Sequence, residues 1–304
     1  MLDWSAHSNA RALSVERLHR YRSIVAKGLR QMGRRRAVIC GLARDLAQIL
    51  PTTIKRIESL GNQFADYRVV VYENDSMDAT SSILRRWARE NQRGYVLSES
   101  LHDPVNPPVR CLQRACRMAY YRNQHRQFAL DRFPDYDYVV VVDMDIEGGW
   151  HLDGIANTFG HDGWDFVGSN GVIRKSNVFT QLTRQYDAWA YRRAGSYGKI
   201  ETRTVNRMSW QRGEPMYPVY SCFGGLGVYR MKAMASCKYG GSDCEHVCLH
   251  RSMRENGFGR QFLNPSQIVD YGIRLSRARR LLASLRRGES PELLPLSPPT
   301  RKAG

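Results

Sequence analysis

Apolar runs alternate along the chain with stretches in which apolar positions recur every three or four residues, the pattern of strands followed by helices. Ala37–Leu42 reads as a first strand. Leu46, Ile49, Leu50, Ile54 and Ile57 fall at helical spacing and predict a helix from Asp45 to about Leu60, which Pro51 should kink or divide. Tyr67–Tyr72 is a second strand, followed by the polar turn Glu73-Asn74-Asp75-Ser76 and a helix from about Asp78 to Asn91. Tyr95–Leu97, a proline-rich loop through Pro108 and a helix from about Val109 to Asp131 lead to the longest β-branched run, Tyr138-Val139-Val140-Val141-Val142. A β-α-β-α-β order with right-handed crossovers gives an α/β fold, with a mainly parallel central sheet and helices on both faces.

The valine run ends in Asp143-Met144-Asp145. A strand without polar alternation is buried on both faces, and the period of two sends the two carboxylates to the same side at its carboxyl end. Open α/β sheets bind ligands at that edge. Two carboxylates held there can share a hard divalent cation, which can neutralise a nucleotide diphosphate. Acidic pairs at strand ends are common, however, and a solvated end explains this one equally well until other residues are added. Glu73 to Asp78 supplies them, because this second polar segment also leaves a buried strand and runs into a helix. Capping that helix needs only one of its side chains. Four consecutive polar groups on the same sheet edge suggest contacts to a ribose or base.

Charge changes the picture of partners. The chain has 46 Lys and Arg against 29 Asp and Glu, a net +17, in 304 residues. Much of the excess lies in residues 11–36 and in Arg274, Arg277, Arg279, Arg280, Arg286 and Arg287. The expected division is a basic helical N-terminal arm over 1–36, a catalytic domain over 37–270, and a basic helix with a proline-rich, disordered tail over 271–304. Such an excess suits a polyanionic partner, with the anionic face of a membrane as the functional reading and solvated helix faces as the plain one. No stretch has the roughly 18 uncharged apolar residues of a membrane span, and the N-terminus lacks signal-peptide design. A cytoplasmic enzyme with peripheral contact at the inner membrane face is the expectation. Seven cysteines without a secreted-scaffold spacing read as reduced thiols. Cys237, Cys244, His246, Cys248 and His250 are all potential zinc ligands, yet no C-x-x-C knuckle joins them.

Ile39-Cys40-Gly41-Leu42-Ala43-Arg44-Asp45, Tyr72-Glu73-Asn74-Asp75-Ser76 with Asp78 and Thr80, and Val142-Asp143-Met144-Asp145 together resemble glycosyltransferases of the Rossmann-like GT-A fold. The likeness extends to Arg122-Asn123, Phe223-Gly224-Gly225-Leu226-Gly227-Val228-Tyr229 and Cys244-Glu245-His246-Val247. It is strongest toward the group of the cryptococcal capsule-associated α-1,3-mannosyltransferases and their bacterial and viral relatives, and it runs from about Ala37 to Pro265. The resemblance implies a nucleotide-sugar donor, a Mn²⁺ or Mg²⁺ ion, and a glycan or lipid-linked acceptor in polysaccharide synthesis. It places the metal on Asp143 and Asp145, with Asp145 the inner ligand and His246 a late third one. It implies donor contacts by Arg44, Glu73, Asp75, Arg122, Asn123 and Asp143. In an inverting enzyme Glu245, and after it Asp243, would be the general base; a retaining enzyme would need none, and Asp243 also reads as a helix cap.

Two other classes stay open at this stage. A nucleic-acid-binding protein would explain the charge but brings no recognisable motif. A nucleotidyltransferase would use the same aspartates but would want a glycine-rich phosphate loop, which Gly41-Leu42-Ala43-Arg44 is not.

Overall fold

The valine run sits at the centre of the molecule. In the computed structural model, which describes residues 14–106, 109–176 and 181–275, it is one strand of an 11-stranded sheet. The elements in chain order are α1 (Val15–Met32), β1 (Arg36–Ala43), α2 (Leu50–Gly61), β2 (Asp66–Asn74), α3 (Thr80–Glu90), β3 (Gly94–Glu99), α4 (Leu112–Arg132) and β4 (Tyr138–Asp143). They continue with β5 (Gly149–Trp150), α5 (Leu152–Phe159), β6 (Phe166–Ser176), β7 (Gln181–Gln185), β8 (Arg192–Arg193), α6 (Thr202–Val205), β9 (Tyr217–Ser221), β10 (Leu226–Arg230), α7 (Met231–Ala235), α8 (Glu245–Glu255) and β11 (Gln261–Leu275).

The strands lie in the order β3-β2-β1-β4-β10-β6-β11-β9-β8, with β5 on β11 and β7 on β6. β3, β2, β1 and β4 are parallel. β10 runs against β4 and β6, and β11 is parallel to β6. From β3 to β11, therefore, β10 alone is reversed and the sheet is mainly parallel, as the order of apolar runs implies.

Both faces are covered, which is why β4 can be valine at successive positions. Val140 and Val142 pack with Ile39, Leu50, Ile57 and Ile155 on one face, while Val139 and Val141 pack with Val38, Ala119, Phe166 and Leu249 on the other. Each such side chain contributes about 1.5–3 kcal/mol by leaving water. Pro51 does not kink a helix. It stands in the first turn of α2, where its missing N–H costs no hydrogen bond and its fixed φ suits the start.

The basic N-terminal segment is helical from Val15, and α1 belongs to the core, with Tyr21, Val25 and Met32 buried in the same cluster as β1 and α5. Arg274 lies in β11; the expected C-terminal basic helix and the tail lie outside the described residues. The glycine-bearing segment is the turn between β9 and β10 together with β10 itself, and in the turn Gly224 and Gly225 have φ of 66° and 88°. Side chains rarely adopt such values, and a Cβ on Gly224 would meet the Ser169 carbonyl oxygen at 2.2 Å. Among the described residues no helix is long and apolar enough to cross a membrane.

Candidate active site

Parallel strands open their carboxyl ends onto one edge. β1 delivers Arg44 there, β2 delivers Asn74, and β4 delivers Asp143 and, just beyond it, Asp145. The reversed β10 brings its preceding turn to the same place, where the Gly225 carbonyl accepts the Asp143 amide at 2.9 Å. With Arg122 from α4 and Glu245 and His246 from the start of α8, these residues line a cleft of about 220 Å³. A larger hollow of about 620 Å³ opens at the amino ends of β2 and β3, between Glu58, Trp87 and Arg93. Its polar groups satisfy one another, Trp87 donating to Glu58 and both Arg68 and Arg93 pairing with Asp66.

The two aspartates are held from behind by a pair of stacked tyrosines. Tyr186 and Tyr271 lie face to face with ring centroids 4.4 Å apart. Tyr186 donates to Asp143 Oδ2 at 3.0 Å and Tyr271 to Asp145 Oδ2 at 2.8 Å. Burial and the Asp143 charge raise the Tyr186 pKa well above the phenol range, so it remains a donor.

Arg122 ties this strand end to α8. Its Nη2 donates to Asp143 Oδ1 at 3.0 Å, its Nε to Glu245 Oε1 at 3.2 Å, and its guanidinium lies 5.1 Å from the centre of the Phe223 ring. Burial opposes the charge, yet the two carboxylates outweigh it and raise the pKa. The side chain is 3% exposed and Nη1 has no partner among the described residues. The resemblance places Arg122 on the donor; here its Nε and one Nη2 donor are committed to the acids of the site, and Nη1 is the nitrogen that remains for a ligand.

The nucleoside-loop residues divide. Asn74 lines the cleft, and its side chain donates to Asp75 Oδ2. Glu73 is buried, accepting the Ser76 amide and the Ser98 hydroxyl. Asp75 has a positive φ of 52° and accepts the amides of Leu101, His102 and Asp103 at 2.8, 2.9 and 3.1 Å. Partial burial would raise its pKa, but these bonds and the Asn74 amide hold it below the usual carboxylate range. Both acids thus build the loop that walls the cleft, and neither faces into it. Arg44 faces the cleft while donating to the carbonyls of Asp103 and Pro104.

Asn123, expected on the donor, instead exchanges two 3.0 Å bonds with the Tyr239 backbone. Asp243 is 8% exposed and accepts two bonds from Arg192 Nη2, at 3.0 and 2.9 Å. It pins the β8 segment and also accepts the Cys244 amide, so Glu245 is the carboxylate of this pair that the cleft receives. His246 lines the cleft stacked on Phe223 at 3.8 Å; among the described residues neither ring nitrogen has a hydrogen-bond partner, and Nε2 lies 3.7 Å from Glu245 Oε1. Burial first, and then the Arg122 charge, lowers its pKa well below the imidazole range. The potential zinc ligands have separate partners: Cys237 contacts the Ala233 carbonyl, Cys248 the Ser242 hydroxyl, and His250 sits between Ser221 and Tyr229. All seven cysteines are free thiols.

Reading the sequence alone misses Tyr186, Asp187, Arg114 and Trp189, which also line the cleft. Asp187 adopts a φ of 56°, and its Oδ2 is shielded from solvent without a hydrogen-bond partner. Burial, helped by the negative charges of Asp143 and Glu245, pushes its carboxyl up to about 8. The signal in the sequence is thin, since Gln185-Tyr186-Asp187 follows no strand that periodicity identifies. Only the pairing of β7 with β6 brings it to the edge.

Asp143 and Asp145 supply hard oxygen donors of the kind Mn²⁺ and Mg²⁺ take. Among the described residues no three His, Cys, Asp or Glu side chains gather closely enough to hold a metal. His246 therefore does not complete a three-residue set with the aspartates. The arrangement fits a cation held by one or two carboxylates together with ligand phosphates and water, a common mode for Mg²⁺ at nucleotide sites.

No family model matches the chain, and no curated protein matches it. Among solved structures it is similar to a mannosyltransferase from Pyrobaculum calidifontis in complex with GDP-Man and Mn²⁺, at 14% identity over 84% of this chain and 64% of that one, with a TM-score of 0.47. It is also similar to glucosyl-3-phosphoglycerate synthase from Mycobacterium tuberculosis in complex with UDP, at 14% identity over 88% and 86% of the two chains and a TM-score of 0.44. A third is residues 1–349 of S. aureus TarS, at 12% identity over 77% and 59% and a TM-score of 0.42. The chain thus spans less than two thirds of the length of the first and third. Similarities at this level assign no residue a role.

Proposed function

We propose that the chain is a metal-dependent glycosyltransferase of the GT-A type, moving a sugar from a nucleoside-diphosphate sugar to a hydroxyl of a glycan or lipid-linked acceptor. The observation that carries the reading is the pair Asp143 and Asp145, clasped by two tyrosines and bridged through Arg122 to Glu245 at the carboxyl edge of a parallel sheet.

In this reading the nucleoside lies against the wall formed by the Glu73–Ser76 loop, with Asn74 facing it. Arg44 and the remaining Nη1 of Arg122 meet the diphosphate. Asp143 and Asp145 would hold Mn²⁺ or Mg²⁺, which when bound would supply Lewis-acid stabilisation of the departing diphosphate. Glu245 is directed by Arg122 toward the space the acceptor hydroxyl must enter, where a carboxylate can take its proton if the enzyme inverts. Phe223 and His246 form an apolar floor that excludes water; burial keeps His246 neutral and outside the charge balance.

Thermal shift with UDP, GDP and their sugars, with and without Mn²⁺, tests the reading. The expected result is metal-dependent stabilisation by one nucleoside diphosphate, abolished in Asp145→Ala. Indifference to every nucleotide and metal would overturn it.

A further inference from the structure

The turn that carries Tyr186 and Asp187 has a second side. Asp187 lines the cleft, Ala188 lines a neighbouring cavity of about 260 Å³, and Trp189 lines both, so this turn is a shared wall one residue thick. Beyond the wall the charged lining is basic only. The cleft mixes acids with the guanidinium groups of Arg44, Arg114 and Arg122, whereas the neighbouring cavity is lined by Arg110, Lys199 and Arg192 with Leu112 and Ile200, and by no acidic side chain.

Arg192 is not available to a ligand: its guanidinium is spent on Asp243 and on the carbonyls of Trp189, Tyr191 and Tyr197. It holds the wall in place. Arg110 and Lys199 are different. Both are exposed, neither forms an ion pair among the described residues, and Arg110 donates only to the neutral hydroxyl of Thr202. Two cations facing one apolar-walled cavity without a counter-charge suit a doubly charged oxyanion, and a guanidinium beside an ammonium suits phosphate in particular.

We infer that this cavity is the acceptor subsite and that it takes a phosphoryl group carried by the acceptor, with Arg110 and Lys199 as its ligands. The inference rests on the glycosyltransferase reading for the word acceptor, but not for the binding of phosphate. An acceptor anchored there reaches the donor cleft past Trp189, beside Asp187 and Glu245. The same charge chemistry would serve a soluble sugar phosphate or a lipid phosphate.

Calorimetric titration of the full chain with glucose 6-phosphate, and flotation with phosphatidylcholine vesicles containing phosphatidic acid, separate those two sources. Binding in either arm is expected to weaken at least tenfold in Arg110→Gln/Lys199→Gln, with Arg110→Lys retaining most of it. Arg203→Gln/Arg207→Gln removes the same charge from another basic surface hollow and should change binding less than twofold. Nucleoside diphosphate binding with Mn²⁺ should be unaltered by both double variants, so that loss of the donor reading and loss of this one are told apart. Absence of binding in both arms, or equal weakening by the two double variants, would overturn the inference.

Discussion

Arg122 has the largest consequences of any single side chain. It is buried between Asp143 and Glu245, so removing it leaves two acids facing each other across a shielded gap. Breaking a buried ion pair by deleting one partner typically costs about 3–5 kcal/mol. Arg122→Met should lower stability by that order in urea denaturation and abolish transfer. Arg122→Lys keeps the charge but cannot span both carboxylates with separate nitrogens, so it should fold and yet lose activity. Equal activity in Arg122→Lys and wild type would show that the bridge does not orient Glu245. The two acids before and within α8 are separable in the same way. Glu245→Gln should reduce kcat/KM by at least a hundredfold while leaving donor binding intact, if Glu245 is the base. Asp243→Asn should act on stability instead, through its buried pair with Arg192. A Glu245→Gln enzyme within a few-fold of wild type would remove the base assignment and favour retention.

At the scale of elements, α1 and α5 touch backbone to backbone. A Cβ on Gly28 would lie 1.7 Å from the Ala156 carbonyl oxygen, and one on Gly160 would lie 2.2 Å from that of Ile24. Gly28→Ala must push the helices apart, at the cost of about 1–3 kcal/mol usual for overpacking, although alanine favours an isolated helix. Chemical denaturation showing an unchanged or raised midpoint would mean that α1 is not docked as described. This helix also marks what sequence pattern can and cannot tell. The strands β1, β2 and β4 and the helices α2 to α4 are legible because each is a local pattern, buried in full or on one stripe. The edge carrying Asp143 and Asp145 follows from strand direction alone. The roles of Glu73, Asp75, Asn123 and Asp243 do not, because a polar side chain in a loop looks the same whether it accepts a ligand or a neighbouring amide. Tyr186, Tyr271 and Asp187 are equally hidden, since they reach the site through the pairing of β6 with β7 and β11, elements distant from it in sequence.

Among the described residues three histidines, His125, His246 and His250, are buried at 0–2% exposure. Burial is the main cause that depresses all three pKa values. Neighbouring guanidinium groups add to it: Arg122 and Arg126 for His125, Arg122 for His246, and Arg254 for His250. His250 falls from 6.5 to about 3, its ring held between the Ser221 and Tyr229 hydroxyls. A depressed pKa in the folded chain means that the unfolded chain binds more protons between the two values. The stability it contributes is therefore complete above 6.5 and is lost as pH falls toward 3. Asp187 works in the opposite sense, since its carboxyl is raised from 3.8 to about 8 and stability from that group declines as pH rises through the same window. The three buried histidines outnumber Asp187, and the lowered pKa values of His161 and of Asp66, Asp75, Asp78 and Asp162 act in the same sense as theirs, so the net dependence favours neutral pH. Each pKa unit is worth about 1.4 kcal/mol, so His250 alone accounts for on the order of a few kcal/mol at its lower limit. Urea denaturation of metal-free protein between about pH 5.5 and 6.5, above the ordinary carboxylate range, should show stability rising with pH. In His250→Gln, whose amide can still meet both hydroxyls, the slope should fall by nearly one proton. In Asp187→Asn it should steepen by about the same amount. A slope unchanged by His250→Gln would mean that the buried imidazole is not what makes this protein sensitive to acid.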